Sequence, residues 1–191
     1  MSVQMDTSLI ESGDIVFIRV GNFLYRRVAA TTSSWDSHVG IIFKNEDGQL
    51  MVAESTIPKS KFTPLNAFLS RSEKGIFAIR RLKGGLSPEQ AANLRASAER
   101  RMGQPYHFGF RYDSKRQFCS KLVYDVYMEA MGLEVGRLQT FRNLLDENPA
   151  APMIFWHIWF FGFIPWKRRT VTPTSQLRSP IFDTVIDRSQ A

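Results

Sequence analysis

The sequence predicts one α+β domain in which an antiparallel sheet packs against helices. Three observations carry this reading. β-rich runs bounded by turn signals fill the first half, an Asp-Gly turn joins two of them head to tail, and the second half switches to helical start and stop signals. A length of 191 residues suits one core and is short for two. The 43% hydrophobic share with 15 Phe excludes a disordered chain, and 12 Gly with 9 Pro exclude a low-complexity one. Neither an internal repeat nor a linker divides residues 1–191; the core is expected over about 13–177 and a C-terminal tail over 178–191.

The first strand is expected over Gly13 to Val20, a β-rich run after a turn signal. Asn22 to Thr31 has mixed helical periodicity, and Ser33 to Ser37 is a polar loop. His38 to Phe43 reads as a buried strand. Asn45-Glu46-Asp47-Gly48 is a hairpin turn, because Asp-Gly tolerates the positive φ such turns demand, so Leu50 to Ser55 returns antiparallel. Phe77 to Leu82 is a further strand. Ser87 caps a helix that has Pro88 in its first turn and Gln90 three residues after the cap; it runs to about Met102 and stops at Gly103. Phe118 to Met131 is a second helix, with Leu122, Val123, Val126, Ala130 and Met131 on one face and Gly132 at its end. Phe141 to Asp146 is a short third one. From Thr170 onward the Thr, Pro and Ser content predicts a loop with a final turn.

Composition also removes function classes. One cysteine excludes an intramolecular disulfide framework and a Cys-rich metal site, and His38, His107 and His157 lack metal-pair spacing, so neither metal nor cofactor is expected. Met1 to Asp14 carries Asp6 and Glu11 and does not read as a secretory signal; with a single thiol, the cytoplasm is the expected compartment. The longest apolar run, Met153 to Trp166, is broken by His157, Gly162 and Pro165. It falls short of the roughly 20 apolar residues of a spanning helix, leaving peripheral membrane contact as the most this chain would make. The net charge of +7 favours anionic partners, but its cations are scattered and no nucleic-acid motif accompanies them, so nucleic acid is not expected.

Cys119 falls where a helix begins, and the free N–H groups and partial positive charge there stabilise a thiolate, the nucleophilic form. A free cysteine also simply packs in many cores. His38 opens a strand beside a loop, a mount from which an imidazole can serve as base, although a loop-side histidine alone carries no such role. Counting back from Asp47-Gly48, His38 and Glu54 fall near opposite each other, with Cβ atoms about 5 Å apart, and Glu54 sits among Met51, Val52 and Ala53, where a charge needs a partner. The three residue types together suit a Cys–His–Glu triad.

Ser37-His38-Val39-Gly40-Ile41-Ile42, Val52-Ala53-Glu54-Ser55, Gly103-Gln104-Pro105-Tyr106 and Phe118-Cys119-Ser120-Lys121-Leu122-Val123-Tyr124 together resemble the permuted papain-like hydrolases of the YaeF/YiiX type, within the wider NlpC-like group. Val171 to Leu177 also resembles a family element, and Phe155 to Trp166 suggests the YebB-like branch. The similarity spans about Gly13 to Leu177. It implies a circularly permuted papain-like fold in which the order runs histidine, acid, cysteine. On that resemblance Cys119 is the nucleophile, His38 the base and Glu54 the orienting group, and a tyrosine after the cysteine lies near the oxyanion, with Tyr124 and Tyr127 both eligible. Two departures bear on substrate preference: His107 stands where many relatives carry an acid, and Lys121 where the wider group often has glutamate.

The leading expectation is therefore a thiol-dependent hydrolase of an amide, ester or thioester bond, acting on a small amide, peptide or lipid-like substrate through an acyl-enzyme. Acyl transfer between lipids and a non-catalytic binding protein on the same fold are the competing classes. Gln117 can donate to an oxyanion or bond the nearby backbone. Met153 to Trp166 can be core, pocket wall or interfacial anchor; the expectation is core at its start and pocket rim near Trp159, with membrane contact ranked last.

Overall fold

A computed structural model of the chain describes residues 6–190. The reading of Met1 to Asp14 as lacking a leader falls in part on Met1 to Met5, outside the described residues. In chain order the elements are β1 (Ile15–Val20), α1 (Phe23–Thr31), β2 (His38–Lys44), β3 (Leu50–Glu54), β4 (Lys61–Pro64), α2 (Leu65–Leu69) and β5 (Ser72–Leu82). There follow α3 (Pro88–Glu99), α4 (Cys119–Met131), β6 (Gln139–Thr140), α5 (Phe141–Asp146), α6 (Met153–Trp159), β7 (Arg169–Thr170), α7 (Pro173–Leu177) and β8 (Phe182–Asp187). The main sheet is antiparallel throughout, ordered β4-β3-β2-β1-β5-β8.

Alternation along the strands splits the interior in two. Ile15, Phe17, Val39, Ile41 and Phe43 face α3 and α4, where Leu94, Ala98, Leu122, Val123 and Val126 cover them. Val16, Ile18, Ile42, Val52, Phe77 and Ile79 point to the opposite face and bury Leu65 and Phe68 of α2. A third, aromatic cluster gathers Tyr106, Phe110, Phe118, Phe141, Phe155 and Trp156 around the N-terminal side of α4.

Local chemistry explains the helix ends. Ser87 and Gln90 form a reciprocal capping box with Pro88 at the first position of α3, and Gly132 ends α4 at φ 68°, a conformation a side chain disfavours. Asn22 accepts from the Tyr25 N–H at the start of α1, and Thr140 from the Asn143 N–H at the start of α5.

Two expectations are corrected. The tail is not a loop with a turn: Thr172 caps α7, and Phe182–Asp187 forms β8, hydrogen-bonded to β5 at the sheet edge. The Thr, Pro and Ser content of 170–180 hid the alternating Phe182, Thr184 and Ile186 that follow. His38 and Glu54 are also not directly opposite. The β2–β3 ladder pairs Ile41 with Ala53 and Ile42 with Val52, so its continuation sets Glu54 beside Gly40 and His38 two residues further along. Both side chains nevertheless share a face, because the offset is an even number of residues. β4, α2, the first half of β5, β6, α6 and β7 are additions to the predicted elements.

Candidate active site

The N-terminus of α4 sets the position of Cys119. Phe118, extended at φ −136° and buried, leads into the helix and offers no side-chain cap, so the first-turn N–H groups carry no side-chain acceptor from that residue. The end is held from the C-terminal segment: Ser120 Oγ donates to the Val171 carbonyl at 2.8 Å, and Gln176 Nε2 donates to the Ser120 and Val135 carbonyls at 2.8 and 3.1 Å. Thr174 of the same segment donates to Asp36, two residues before His38, at 3.0 Å. α7 thus ties the histidine loop to the cysteine helix.

His38 opens β2 with its ring fully buried. Tyr25 meets the imidazole edge-on at 5.4 Å and Phe68 stacks on it at 5.4 Å. Its Nε2 lies 2.6 Å from Glu54 Oε2, while Nδ1 has no hydrogen-bond partner among the described residues and is the nitrogen left for Cys119. Burial alone pushes the imidazole pKa down, but the nearby Cys119 and Glu54 groups outweigh it and lift His38 to about 9.

Glu54 is buried at the end of β3 and saturated with donors. Thr63 Oγ1 donates to Oε1 at 2.6 Å, and Arg71 donates to Oε2 at 2.8 Å, the oxygen that also meets His38. Burial pushes this carboxyl up, yet the His38 contact, Thr63 and Arg71 prevail and hold it at about 2. Gly40 makes room for the arrangement: a Cβ there would lie 2.4 Å from Val52 Cγ1 and 2.9 Å from the Ala53 carbonyl oxygen.

Cys119, His38 and Glu54 therefore come together, and the other four predicted site residues do not join them. Tyr127 is buried under the sheet and donates to the Gly13 carbonyl. Tyr124 packs its ring edge-on against Tyr112. The Gln117 side chain reaches 3.4 Å from Asp125, on the flank of α4 where Lys121 also pairs with Asp125. Trp159 donates to the Phe108 carbonyl at 3.0 Å and lies outside the pocket lining; Trp156, three residues earlier, lines it instead and donates to Thr31 at 2.9 Å.

The tyrosines at the thiol are Tyr25 and Tyr106, which both line the Cys119 pocket. Burial first, and the charge of Cys119 second, push both phenols above their usual range. Tyr106 belongs to the Gly103-Gln104-Pro105-Tyr106 segment and its N–H donates to the Pro58 carbonyl at 3.0 Å; Tyr25 carries no sequence signal beyond its helix. Thr63, Phe68 and Arg71 were missed with their elements. The pocket beside Cys119 is walled by Leu24, Val28, Phe110, Phe141, Leu144 and Trp156, with hydroxyl residues such as Thr31, Ser37 and Thr172 also in its lining. His107, the first departure from the resembled pattern, lies outside that lining; burial, with Arg168, Arg116 and Arg111 nearby, pulls its imidazole below the usual range.

The chain is 30% identical over 176 residues, 92% of its own length and 85% of the relative's, to YiiX of Escherichia coli strain K12, described as an uncharacterized protein. Among solved structures it is similar to a crystal structure described as metalloprotein yiiX from Escherichia coli O157:H7, with a TM-score of 0.86 and 31% identity over 93% of this chain and 97% of the other. The residues here do not fit a metal. Among the described residues no group of three or more His, Cys, Asp and Glu side chains could hold an ion, and the Glu54 oxygens already meet His38, Thr63 and the Arg71 cation. The family model of the permuted papain-like amidase enzymes, YaeF/YiiX, C92 family, matches residues 9–186. With its antiparallel sheet packed against helices and its histidine-to-cysteine order, the chain belongs to that amidase family of hydrolases.

Proposed function

We propose that the chain is a thiol-dependent hydrolase that cleaves an amide bond, or an ester or thioester, on a Cys119–His38–Glu54 triad. The observation that carries this is the buried imidazole with one nitrogen on Glu54 and the other left for Cys119. Glu54 orients the ring and stabilises its protonated form. The Cys119 sulfur attacks the substrate carbonyl carbon, forming a C–S bond. First-turn N–H groups of α4 and the Tyr25 and Tyr106 hydroxyls stabilise the oxyanion. As the C–N bond breaks, His38 gives its proton to the departing amine. A water then loses a proton to His38 and attacks the thioester, which releases the acid and restores the thiol.

A second reading rests on the pocket lining. Its aliphatic and aromatic wall suits an apolar acyl group, and an acyl-enzyme formed there can pass to an amine or alcohol as well as to water. Mass spectrometry of the protein quenched with acyl amides, esters and thioesters of graded chain length tests both. An adduct on Cys119 that is absent from Cys119→Ser is expected, with yields rising with chain length. Turnover by Cys119→Ser equal to that of the wild type would remove the triad. A yield indifferent to chain length would remove the apolar acyl site alone.

A further inference from the structure

Eight large apolar side chains are exposed among the described residues, and six of them, Phe23, Phe108, Ile154, Ile158, Phe161 and Phe163, belong to one neighbourhood. Ile154, Ile158 and Phe161 recur at the spacing of one helix stripe along α6 and the turn after it, and are 78, 72 and 91% exposed. Phe163 follows at 85%. Phe23, at the start of α1, meets Phe155 of α6 at 5.8 Å, and Phe108 is joined through its carbonyl to Trp159. Isolated exposed apolar residues are ordinary; a cluster of this kind marks an interaction surface.

Cations without carboxylate partners border this face. Arg27 lies over the Phe23 ring at 5.0 Å, and Arg168 over the Phe160 ring at 5.1 Å. Neither of these, nor Arg111, Arg116 or Lys167, forms a salt bridge among the described residues, although most other arginines of the chain do. Apolar side chains bordered by free cations match the interfacial zone of a bilayer with anionic headgroups. They match less well a second copy of this chain, whose own face would bring the same charges together. The seven residues of α6 are too short to span, so the helix would lie in the membrane plane.

We propose that the α6 stripe, the turn through Phe163 and the start of α1 form a docking surface for an anionic lipid bilayer. α1 and α6 also wall the Cys119 pocket through Leu24, Val28 and Trp156, so docking would set that pocket near the bilayer surface. The surface stands apart from the catalytic reading, because none of its exposed residues is in the triad.

Sedimentation with vesicles of phosphatidylglycerol and phosphatidylcholine, against phosphatidylcholine alone, tests it. The wild type and Cys119→Ser should sediment alike with the anionic vesicles and be released at about 0.5 M salt. Ile158→Glu/Phe161→Asp should lose at least about tenfold in partitioning while keeping its circular dichroism, since both side chains are solvent-exposed. Phe163→Asp provides a single-site check. Absence of sedimentation at low salt, or equal sedimentation by the double variant, overturns the proposal. So does a concentration-dependent dimer that the double variant abolishes while vesicle binding is absent, which would assign the face to a second copy.

Discussion

His38 is under two opposing pressures, and their balance is what the proposed thiol chemistry requires. Burial between Tyr25 and Phe68 disfavours its charge, while Cys119 and Glu54 favour it strongly enough to set the pKa at about 9. An imidazolium is thus held beside Cys119 through neutral pH. Alkylation of Cys119 by iodoacetamide at pH 7 should therefore slow by about tenfold or more in His38→Ala, because the imidazolium no longer stands beside the sulfur; equal rates would separate the two residues. Glu54→Gln should lower kcat by about 10²- to 10⁴-fold and move the alkaline limb of the rate profile to lower pH, since the amide still bonds the ring without stabilising its charge. An unchanged profile would place the orienting group elsewhere. Arg71 shares Oε2 with His38, so it limits how strongly Glu54 attracts the imidazolium while keeping the carboxylate ionised.

Short elements deliver the residues that complete the site, and their shortness hid them. Cys119 was legible because α4 has thirteen residues, a clean apolar face and a glycine stop; His38 and Glu54 were legible because the Asp47-Gly48 turn fixes a hairpin. Thr63, Phe68 and Arg71 lie on or next to β4 and α2, of four and five residues, too brief for any period to register. Nearness in sequence misdirected the tyrosine assignment. At 100° per residue Tyr124 turns about 140° from Cys119, and Tyr127 lies ~12 Å along the axis, whereas Tyr25 and Tyr106 reach the thiol through the tertiary fold. The hairpin itself depends on Gly40. Gly40→Ala should cost about 1–3 kcal/mol in urea unfolding, because Val52 and the Ala53 carbonyl must shift; a cost near zero would show that β3 yields freely. In α6 the division is between neighbours. Trp156→Ala should cost about 3–5 kcal/mol and Trp159→Ala clearly less, since only the former is buried against Phe110 and Phe141.

For the whole molecule, Cys119, His38 and Glu54 form a seam between three apolar clusters. Glu54 and His38 sit at the sheet, Cys119 at the end of α4, and the pocket wall in the aromatic cluster, with α7 joining the loop before His38 to the helix of Cys119. Breaking the buried pair should therefore lower global stability, with a defined pH signature. Glu54 is held at about 2 against an ordinary 4.5, so its contribution is complete above 4.5 and is lost as pH falls through 2. His38 is lifted to about 9 from 6.5, so its contribution is complete below 6.5 and is lost as pH rises through 9. Both are fully present only between 4.5 and 6.5. In that window Glu54→Gln should lower the Tm by roughly 6–12 °C, corresponding to about 3 kcal/mol for leaving a buried charge unpaired. The difference from wild type should shrink as pH rises from 6.5 through 9, and again as it falls from 4.5 toward 2. Charges elsewhere, such as Glu129 held at about 2 by Arg101, Ser97 and Arg100 against the push of burial, are common to both proteins and cancel in that difference. A Tm gap constant from pH 5 to 10 would mean that the pair is not ionised in the folded state, and the imidazolium on which the proposed chemistry depends would have to be abandoned.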